Sequence, residues 1–180
     1  MGSRCSLLAP SLAVGMLVLS GPVGGAEEAL KLESDAFPDG KTIPAVHTCD
    51  GHDRSPALHW SGAPEATKAL ALVVDDPDAP SRNWNHWLLY NVPAATRAIG
   101  EGVPTKPKLG DGSMQGTNDF GRIGYGGPCP PKGETRTYKF KLHALSSPID
   151  LEPGAKREVV MKEIEAKSIA EAALEGKYGR

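Results

Sequence analysis

The sequence predicts a single, mainly β domain behind a short N-terminal targeting segment. Its 21 glycines and 16 prolines make up about a fifth of the 180 residues, a density of turn formers that suits short strands better than a helical bundle. Several segments alternate apolar and polar residues, which is the period of a half-buried strand. Charged residues at 23% and hydrophobic residues at 39% describe an ordinary globular chain.

Residues 1–26 have the pattern of a secretory signal peptide. Arg4 precedes an apolar run from Leu7 to Leu19, which is too short for a membrane span of about 20 residues. The small residues Gly24-Gly25-Ala26 follow, at the positions that a signal peptidase reads. We therefore expect cleavage after Ala26 and a periplasmic or secreted protein.

The mature domain is then residues 27–180, and we expect no membrane span in it. Two alternatives remain open for the N-terminal segment. Left uncleaved, it would be an N-terminal anchor. The first six residues, MGSRCS, also fit the loose pattern of N-myristoylation.

Charge and motifs exclude several functions. Twenty Lys and Arg against 22 Asp and Glu give a net charge of −2, so no nucleic-acid partner is expected. The chain contains no GxxxxGK[ST] phosphate loop and no Gly-x-Ser-x-Gly nucleophile elbow. We therefore expect no cofactor, no metal and no catalytic residue.

The strands are predicted in chain order from the alternating and apolar segments. The continuous apolar run is expected to be a central strand buried on both faces. A turn is predicted at Phe37–Gly40. The predicted strands are Leu30–Ser34, Ala57–Ser61, the apolar run Ala69–Val74, His86–Val92 and Tyr138–Ala144.

A long loop and one helix complete the predicted elements. Residues 100–135 are rich in Gly and Pro, and such a stretch in a compact domain is usually functional or disordered. The stripe of Val159, Val160 and Ile164 predicts a helix over Lys156–Lys167. The tail Ser168–Tyr178 is ambiguous, because its alternation suits an edge strand whereas its alanines and glutamates also suit a helix.

The mature chain keeps two cysteines, Cys49 and Cys129. In an oxidising compartment an even count favours a disulfide, here closing a loop of 80 positions. A second possibility is a metal site, since His47, Cys49 and His52 are zinc or copper ligand types. Two free thiols are the third.

Carboxylates lie at the exit of the predicted central strand. Asp75, Asp76 and Asp78 follow it, and Pro77 and Pro80 restrict the turn that holds them. If this strand pairs with the next, the histidine at position 86 comes close to the aspartates. The plainer interpretation is a solvated acidic turn beside a core histidine.

The loop Gly116–Gly133 is the second candidate region. Its glycines allow close approach of the backbone to a ligand, and their N–H groups can form a nest for an anion. Tyr125 is a candidate aromatic wall. The alternative is a long structural loop fastened at Cys129.

These motifs together resemble the phosphatidylethanolamine-binding protein family, in particular the bacterial Raf-kinase-inhibitor-like proteins. The resemblance extends over about Leu30 to Tyr178 and implies a Greek-key β-sandwich with one or two peripheral helices. It also implies a small pocket for phosphate-like anions, and exported members similarly carry a cysteine in each of the two loops. The motifs are Asp76-Pro77-Asp78-Ala79-Pro80, Asn85-His86-Trp87, Asn118-Asp119-Phe120-Gly121 and Gly124–Gly133.

Carried over position by position, the resemblance implies a ligand-binding set. Many members have a histidine where this chain has Arg136, two residues before Tyr138. A guanidinium only donates hydrogen bonds and stays charged, so it either strengthens anion binding or points to solvent. The implied set is Asp76, Asp78 and His86 from the strand ends, Gly127 and Pro128 from the loop, Tyr125 near the rim, and Arg136.

The function that we expect is binding of a small phosphate-bearing ligand, either a phosphate-like anion or a phospho-zwitterion. Bare carboxylates would repel a dianion, so a zwitterion or a monoprotonated phosphoester fits better. One alternative is a protein-inhibitor module acting on an extracytoplasmic protein. Another is a weak phosphoester hydrolase that uses Asp76, Asp78 and His86.

The predicted signal peptide is tested by the N-terminus of the exported protein. Mass spectrometry is expected to show Glu27 as the first residue, because cleavage falls after Ala26. An intact Met1 on protein from the cytosolic fraction would contradict both cleavage and export.

Overall fold

The computed structural model describes residues 1–2, 28–80 and 83–180. The predicted signal peptide lies outside the described residues, apart from its first two, so its cleavage stays a prediction. In the part of the chain that is described, no helix is long and apolar enough to cross a membrane.

The described chain is mainly β-strand with a single turn of 3₁₀-helix at Ala45–His47. The strands and the α-helix follow in chain order. They are β1 (Lys31–Glu33), β2 (Lys41–Thr42), β3 (Leu58–Ser61), β4 (Ala69–Asp76), β5 (Trp84–Pro93), β6 (Ala98–Ile99), β7 (Met114–Gln115), β8 (Thr135–Leu145), α1 (Arg157–Lys167) and β9 (Ser168–Gly179).

The strands form two sheets. The small sheet has the order β1-β3-β6, and the large sheet has the order β2-β9-β8-β4-β5-β7. Of the pairs between these strands, β2–β9 is parallel and the others are antiparallel. After the β4–β5 pair the chain makes a long excursion and returns to place β8 beside β4, a connection of the Greek-key kind.

The large sheet is covered on both faces. On one face Leu72 and Phe140 belong to the same apolar cluster as Trp60 of the small sheet. On the other face Val73 packs in a cluster with Val160 of α1. Every residue of β4 is therefore buried, as predicted for a central strand, and the mainly β fold with a peripheral helix is confirmed.

The ambiguous tail is a strand. Ser168–Gly179 pairs with β8 along almost its whole length, and Ala172, Leu174 and Tyr178 turn inward with a period of two. On its outer side β2 pairs with it only at Gly176 and Lys177. Of the two interpretations left open by the sequence, the structure shows the strand, which lies near the edge of the sheet for most of its length.

The predicted disulfide is present between Cys49 and Cys129. A bridge across 80 positions stabilises a fold by roughly 4–5 kcal/mol in the chain-entropy model. It takes up the thiol of the alternative metal site, and the ring of His47 is hydrogen bonded to the carbonyl of Arg54 at 2.9 Å. The cysteine pair therefore fastens the loop before β3 to the loop before β8.

Neighbouring valines of α1 test how the helix layer stabilises the fold. Val160 is 1% exposed whereas Val159 is 46% exposed. Val160→Ala is expected to lower the free energy of unfolding by about 1.5–3 kcal/mol, because it removes two buried methyl groups. Val159→Ala, the matched control, should change it by less than about 0.5 kcal/mol. Denaturant titration of both variants measures this, and equal effects would mean that α1 does not pack as described.

Candidate ligand-binding pocket

Three neighbouring strands bring polar side chains together at one end of the sandwich. β4 lies between β8 and β5 in the large sheet. Asp76 at the end of β4 pairs with Trp84 at the start of β5, and Asp75 pairs with Lys139 near the start of β8. The strand pairing that brings His86 close to the aspartates is thus observed.

A pocket of about 350 Å³ opens at this end. Its walls combine charged groups with aromatic rings and prolines. Its lining residues are Asp76, Ala79, Pro80, Trp84, His86, Phe120, Cys129, Pro131, Arg136 and Tyr138.

The long Gly- and Pro-rich loop forms the wall opposite the strands. It is fastened to β5 by backbone hydrogen bonds, from Asp119 N–H to the Asn85 carbonyl and from Gly126 N–H to the His86 carbonyl. Phe120 stands at the rim, 39% exposed, with its ring centre 5.2 Å from that of His86. The predicted functional loop is therefore an ordered part of the pocket.

His86 is buried and its orientation is fixed. Its Nδ1 lies 2.6 Å from the carbonyl oxygen of Gly126, so Nδ1 carries the proton and donates it, which leaves Nε2 as an acceptor in the neutral ring. Burial lowers the pKa of His86, and the Gly126 carbonyl and Asp76 offset this only in part. The side chain is therefore a neutral hydrogen-bond acceptor at neutral pH.

Tyr138 lines the pocket and carries a buried hydroxyl. Its side chain is 1% exposed, and its hydroxyl has no hydrogen bond of normal geometry to the described chain, although the backbone of Cys129 lies near it. Burial and then the charge of Asp76 raise the pKa of Tyr138, so the hydroxyl keeps its proton. An unpaired buried hydroxyl lowers the stability of the fold, so such a group is usually hydrogen bonded to a water molecule or a ligand.

Arg136 points into the pocket and not into solvent. Its side chain is 13% exposed and pairs with Asp76 at 3.1 Å and with Glu134 at 2.8 Å. Hydrogen bonding to Glu134 and then to Asp76 raises the pKa of Arg136. The pair neutralises the buried Asp76 carboxylate and leaves part of the guanidinium fork for a ligand.

Asp78 does not line the pocket. One of its carboxylate oxygens accepts a hydrogen bond from the backbone N–H of Thr137 at 2.8 Å. Its own N–H donates to Asp76 at 2.9 Å. Asp78 therefore ties the turn after β4 to the start of β8 and holds Asp76 in place.

Three of the expected loop residues support the pocket from behind. Tyr125 is buried beneath it and not at its rim, since its hydroxyl donates to the His47 carbonyl at 2.8 Å. Gly127 N–H donates to Asp53 at 2.5 Å, and the Pro128 carbonyl accepts from Cys49 N–H at 3.1 Å. The expected nest of loop N–H groups is therefore not formed at Gly126 or Gly127, whose N–H groups have partners within the protein.

Gly127 is required by this arrangement. A Cβ atom at this position would lie 2.4 Å from the His47 carbonyl oxygen and 2.7 Å from Asp53. Because no side chain tolerates such contacts, only glycine lets the two loops approach this closely.

Six residues of the lining were outside the predicted ligand-binding set and the predicted disulfide: Ala79, Pro80, Trp84, Phe120, Pro131 and Tyr138. Trp84 and Phe120 form an aromatic pair with ring centres 5.6 Å apart, and Pro131 and Tyr138 complete the wall. Phe120 and Pro131 lie inside the motifs that carry the family resemblance, which was the available signal. Tyr138 fits the alternation of a core strand and gave no separate signal.

Metal binding has no support in the described residues. Between residues 28 and 80 and between 83 and 180, no cluster of three or more His, Cys, Asp or Glu side chains has the geometry to hold an ion. The pocket groups are instead hydrogen-bond donors and acceptors placed around a space that fits a small organic ligand.

A two-sheet sandwich with a small polar and aromatic pocket at one end is the architecture that defines this chain's class. The sequence profile of the phosphatidylethanolamine-binding proteins matches residues 33–179. The chain belongs to the phosphatidylethanolamine-binding protein family.

Relatives and solved structures agree with this assignment. A UPF0098 protein of Methanothermobacter thermautotrophicus is 48% identical over 151 residues, which are 84% of this chain and 99% of the relative. The crystal structure of Escherichia coli YbcL, described as a new member of the mammalian PEBP family, superposes with a TM-score of 0.80 at 36% identity and covers 86% of this chain and 99% of its own. The crystal structure of the PEBP homolog CT736 from Chlamydia trachomatis superposes with a TM-score of 0.77 at 34% sequence identity. It covers 84% of this chain and 98% of its own.

The pKa of His86 links the pocket to stability. A histidine whose pKa is lower in the folded than in the unfolded chain binds fewer protons when folded. Stability therefore rises with pH between the folded pKa and the unfolded value of about 6.5, and it is lost as the pH falls through that window. NMR titration should show His86 titrating below its position in the unfolded protein. A value above it would mean that the ring is charged in the pocket.

Proposed function

We propose that this chain is an exported binding protein for small phosphate-bearing ligands, either monoprotonated phosphoesters or phospho-zwitterions. The observation that carries the proposal is the buried Tyr138 hydroxyl, unpartnered among the described residues. It lies in a pocket shared with His86, Asp76 and Arg136. Family membership supports small-ligand binding in general, and the ligand class comes from these groups.

The pocket offers both donors and acceptors. Tyr138 and Arg136 donate, and they suit phosphate oxygens. The Nε2 atom of neutral His86 and the Asp76 carboxylate accept. A dianion would face two acceptors without a proton to offer, so a protonated phosphate oxygen or an ammonium group meets these acceptors better.

The apolar wall suits the rest of such a ligand. Trp84, Phe120, Pro80 and Pro131 line the pocket and are more exposed than His86 and Tyr138. They are therefore placed to contact the group to which the phosphate is esterified. An apolar body with a few fixed polar groups is the usual composition of small-molecule sites. The pocket is therefore expected to bind a phosphate ester more tightly than free inorganic phosphate.

Binding without turnover is the part of the proposal that rests on Asp76. One of its oxygens accepts from Asp78 N–H and the other pairs with Arg136. These bonds occupy part of each oxygen, so Asp76 accepts a ligand hydrogen bond only through its remaining lone pairs, and the Arg136 charge beside it makes it a weak general base. Assay of a phosphoester library is expected to show no turnover above background.

Export is supported by two independent features. The apolar run before Gly24-Gly25-Ala26 has the form of a signal peptide. The Cys49–Cys129 disulfide is a feature of oxidising compartments and is rare in the cytosol.

The Tyr138 hydroxyl is tested by removing it alone. Tyr138→Phe is expected to weaken phosphoethanolamine binding roughly tenfold to a hundredfold, because a hydrogen bond to a charged group is worth about 1.5–3 kcal/mol. Tyr90→Phe is the matched control, since the Tyr90 hydroxyl donates to the Glu152 carbonyl at 2.6 Å and lies outside the pocket lining. Isothermal calorimetry of wild type and both variants measures the affinities.

His86→Ala is the second arm of the same titration and should also weaken binding. Inorganic phosphate is titrated in parallel and is expected to bind less tightly than the ester. Measurable wild-type binding that neither pocket variant changes would place the ligand elsewhere on the protein. No binding by wild type to either compound would refute the ligand class.

A further inference from the structure

The Cys49–Cys129 bridge lies at the edge of the pocket, where solvent reaches it. Both cysteines are exposed, and Cys129 is part of the pocket lining. Exposed disulfides are the ones that external thiols reach and open, whereas buried structural bridges resist exchange. This position makes the bridge accessible to external thiols at the edge of the pocket.

The two sulfur atoms lie in different electrostatic surroundings. The Arg180 guanidinium donates to Cys129 Sγ at 3.6 Å. Asp50 follows Cys49 but pairs with this same guanidinium at 2.9 Å, so its charge is balanced and does not distinguish the two sulfurs. The contact of Arg180 with a sulfur is to Cys129 Sγ, and a neighbouring cation stabilises a thiolate, so Cys129 is the better leaving group.

The same bridge holds the wall of the pocket. The segment Tyr125–Pro131 meets the loop that carries Cys49 through three hydrogen bonds and one covalent link. The bonds are Tyr125 Oη to the His47 carbonyl, Gly127 N–H to Asp53, and Cys49 N–H to the Pro128 carbonyl. Opening the bridge leaves these bonds in place but removes the covalent link at Cys129, two residues before Pro131 of the pocket lining.

We propose that Cys49 is a site of thiol–disulfide exchange, and that opening the bridge there makes the pocket wall more mobile and lowers ligand affinity. The effect on affinity rests on the proposed function. A thiolate of a dithiol attacks Cys49 Sγ, the Sγ–Sγ bond breaks, and Cys129 leaves as a thiolate beside Arg180 and takes a proton from water. The second thiol of the reductant then displaces Cys49, which is protonated in turn. The protein gains two electrons and two protons, and the dithiol is oxidised to its disulfide.

The site of attack is read with glutathione as the probe. After brief exposure and blocking with N-ethylmaleimide, trypsin releases the peptides 42–54, with Cys49, and 123–132, with Cys129. Glutathione is expected on peptide 42–54 and the maleimide on peptide 123–132. The reverse labelling would overturn the assignment of Cys129 as leaving group.

The contribution of Arg180 is read from the rate of opening by dithiothreitol. Arg180→Gln should slow the opening of the disulfide about twofold to fivefold, because an exposed charge interaction stabilises the leaving thiolate by about that factor. Arg97→Gln is the matched control, because this guanidinium bonds the carbonyls of Ala94 and Thr96 and should leave the rate unchanged. Equal rates in wild type and Arg180→Gln would overturn the role of Arg180.

The effect on the pocket is read first without ligand. Reduction should shift the NMR signals of the His86 and Phe120 side chains while circular dichroism keeps its native form. Phosphoethanolamine affinity should then fall roughly twofold to tenfold, the cost of ordering one or two freed side chains. The Cys49→Ser/Cys129→Ser variant should show the NMR signals and the phosphoethanolamine affinity of the reduced protein. Dithiothreitol should change neither in this variant.

Unchanged NMR signals and unchanged affinity on reduction would overturn the coupling between the disulfide and the pocket. Global unfolding on reduction would overturn it too, because the bridge would then be purely structural. Failure of the oxidised protein to bind phosphoethanolamine would contradict the proposed function alone. The labelling, rate and NMR results would still decide the exchange site and its coupling to the wall.

Discussion

The antiparallel pairing of β8 with β4 is the constraint on which the core and the pocket both depend. β4 is buried on both faces, so its backbone groups need a neighbouring strand on each side. β5 follows directly in the chain, whereas β8 arrives after a long excursion and pairs from Ala69↔Leu145 to Asp75↔Lys139. This register places Arg136 and Tyr138 of β8 beside Asp76. His86 comes from β5, the strand on the other side of β4.

The same register explains how consecutive aspartates are tolerated at the end of a buried strand. Successive side chains of a strand point to opposite faces. Asp75 therefore meets Arg157 of the helix layer, at 2.5 Å, and Asp76 meets Arg136 at 3.1 Å on the pocket side. A buried carboxylate without a partner is strongly destabilising, so each face of the sheet has to supply its own arginine.

The sequence predicted local elements well and distant contacts less well. Strands β1, β3, β4, β5 and β8 and helix α1 were predicted because their apolar periodicity is local, whereas the two-residue strands β2, β6 and β7 are too short to show a period and were not. The tail Ser168–Gly179 stayed ambiguous because its alanines and glutamates tolerate either geometry, and its pairing with β8 decides.

Within the site, the motif resemblance led to Asp76, His86 and Arg136, which the structure brings together in the pocket lining. It could not give the directions of Asp78 and Tyr125. Those directions depend on the backbone groups of Thr137 and His47, 59 and 78 positions away in the chain.

The Gly- and Pro-rich loop determines the chemistry of the pocket indirectly. Gly126 and His86 exchange two hydrogen bonds, one from the Gly126 N–H to the His86 carbonyl and one from His86 Nδ1 to the Gly126 carbonyl. The second bond fixes the tautomer, so Nε2 is left as an acceptor in the neutral ring. The Gly127 N–H, part of the nest expected from the sequence, donates to Asp53. The donors of the pocket therefore come from β8, the loop sets an acceptor, and a ligand has to satisfy both.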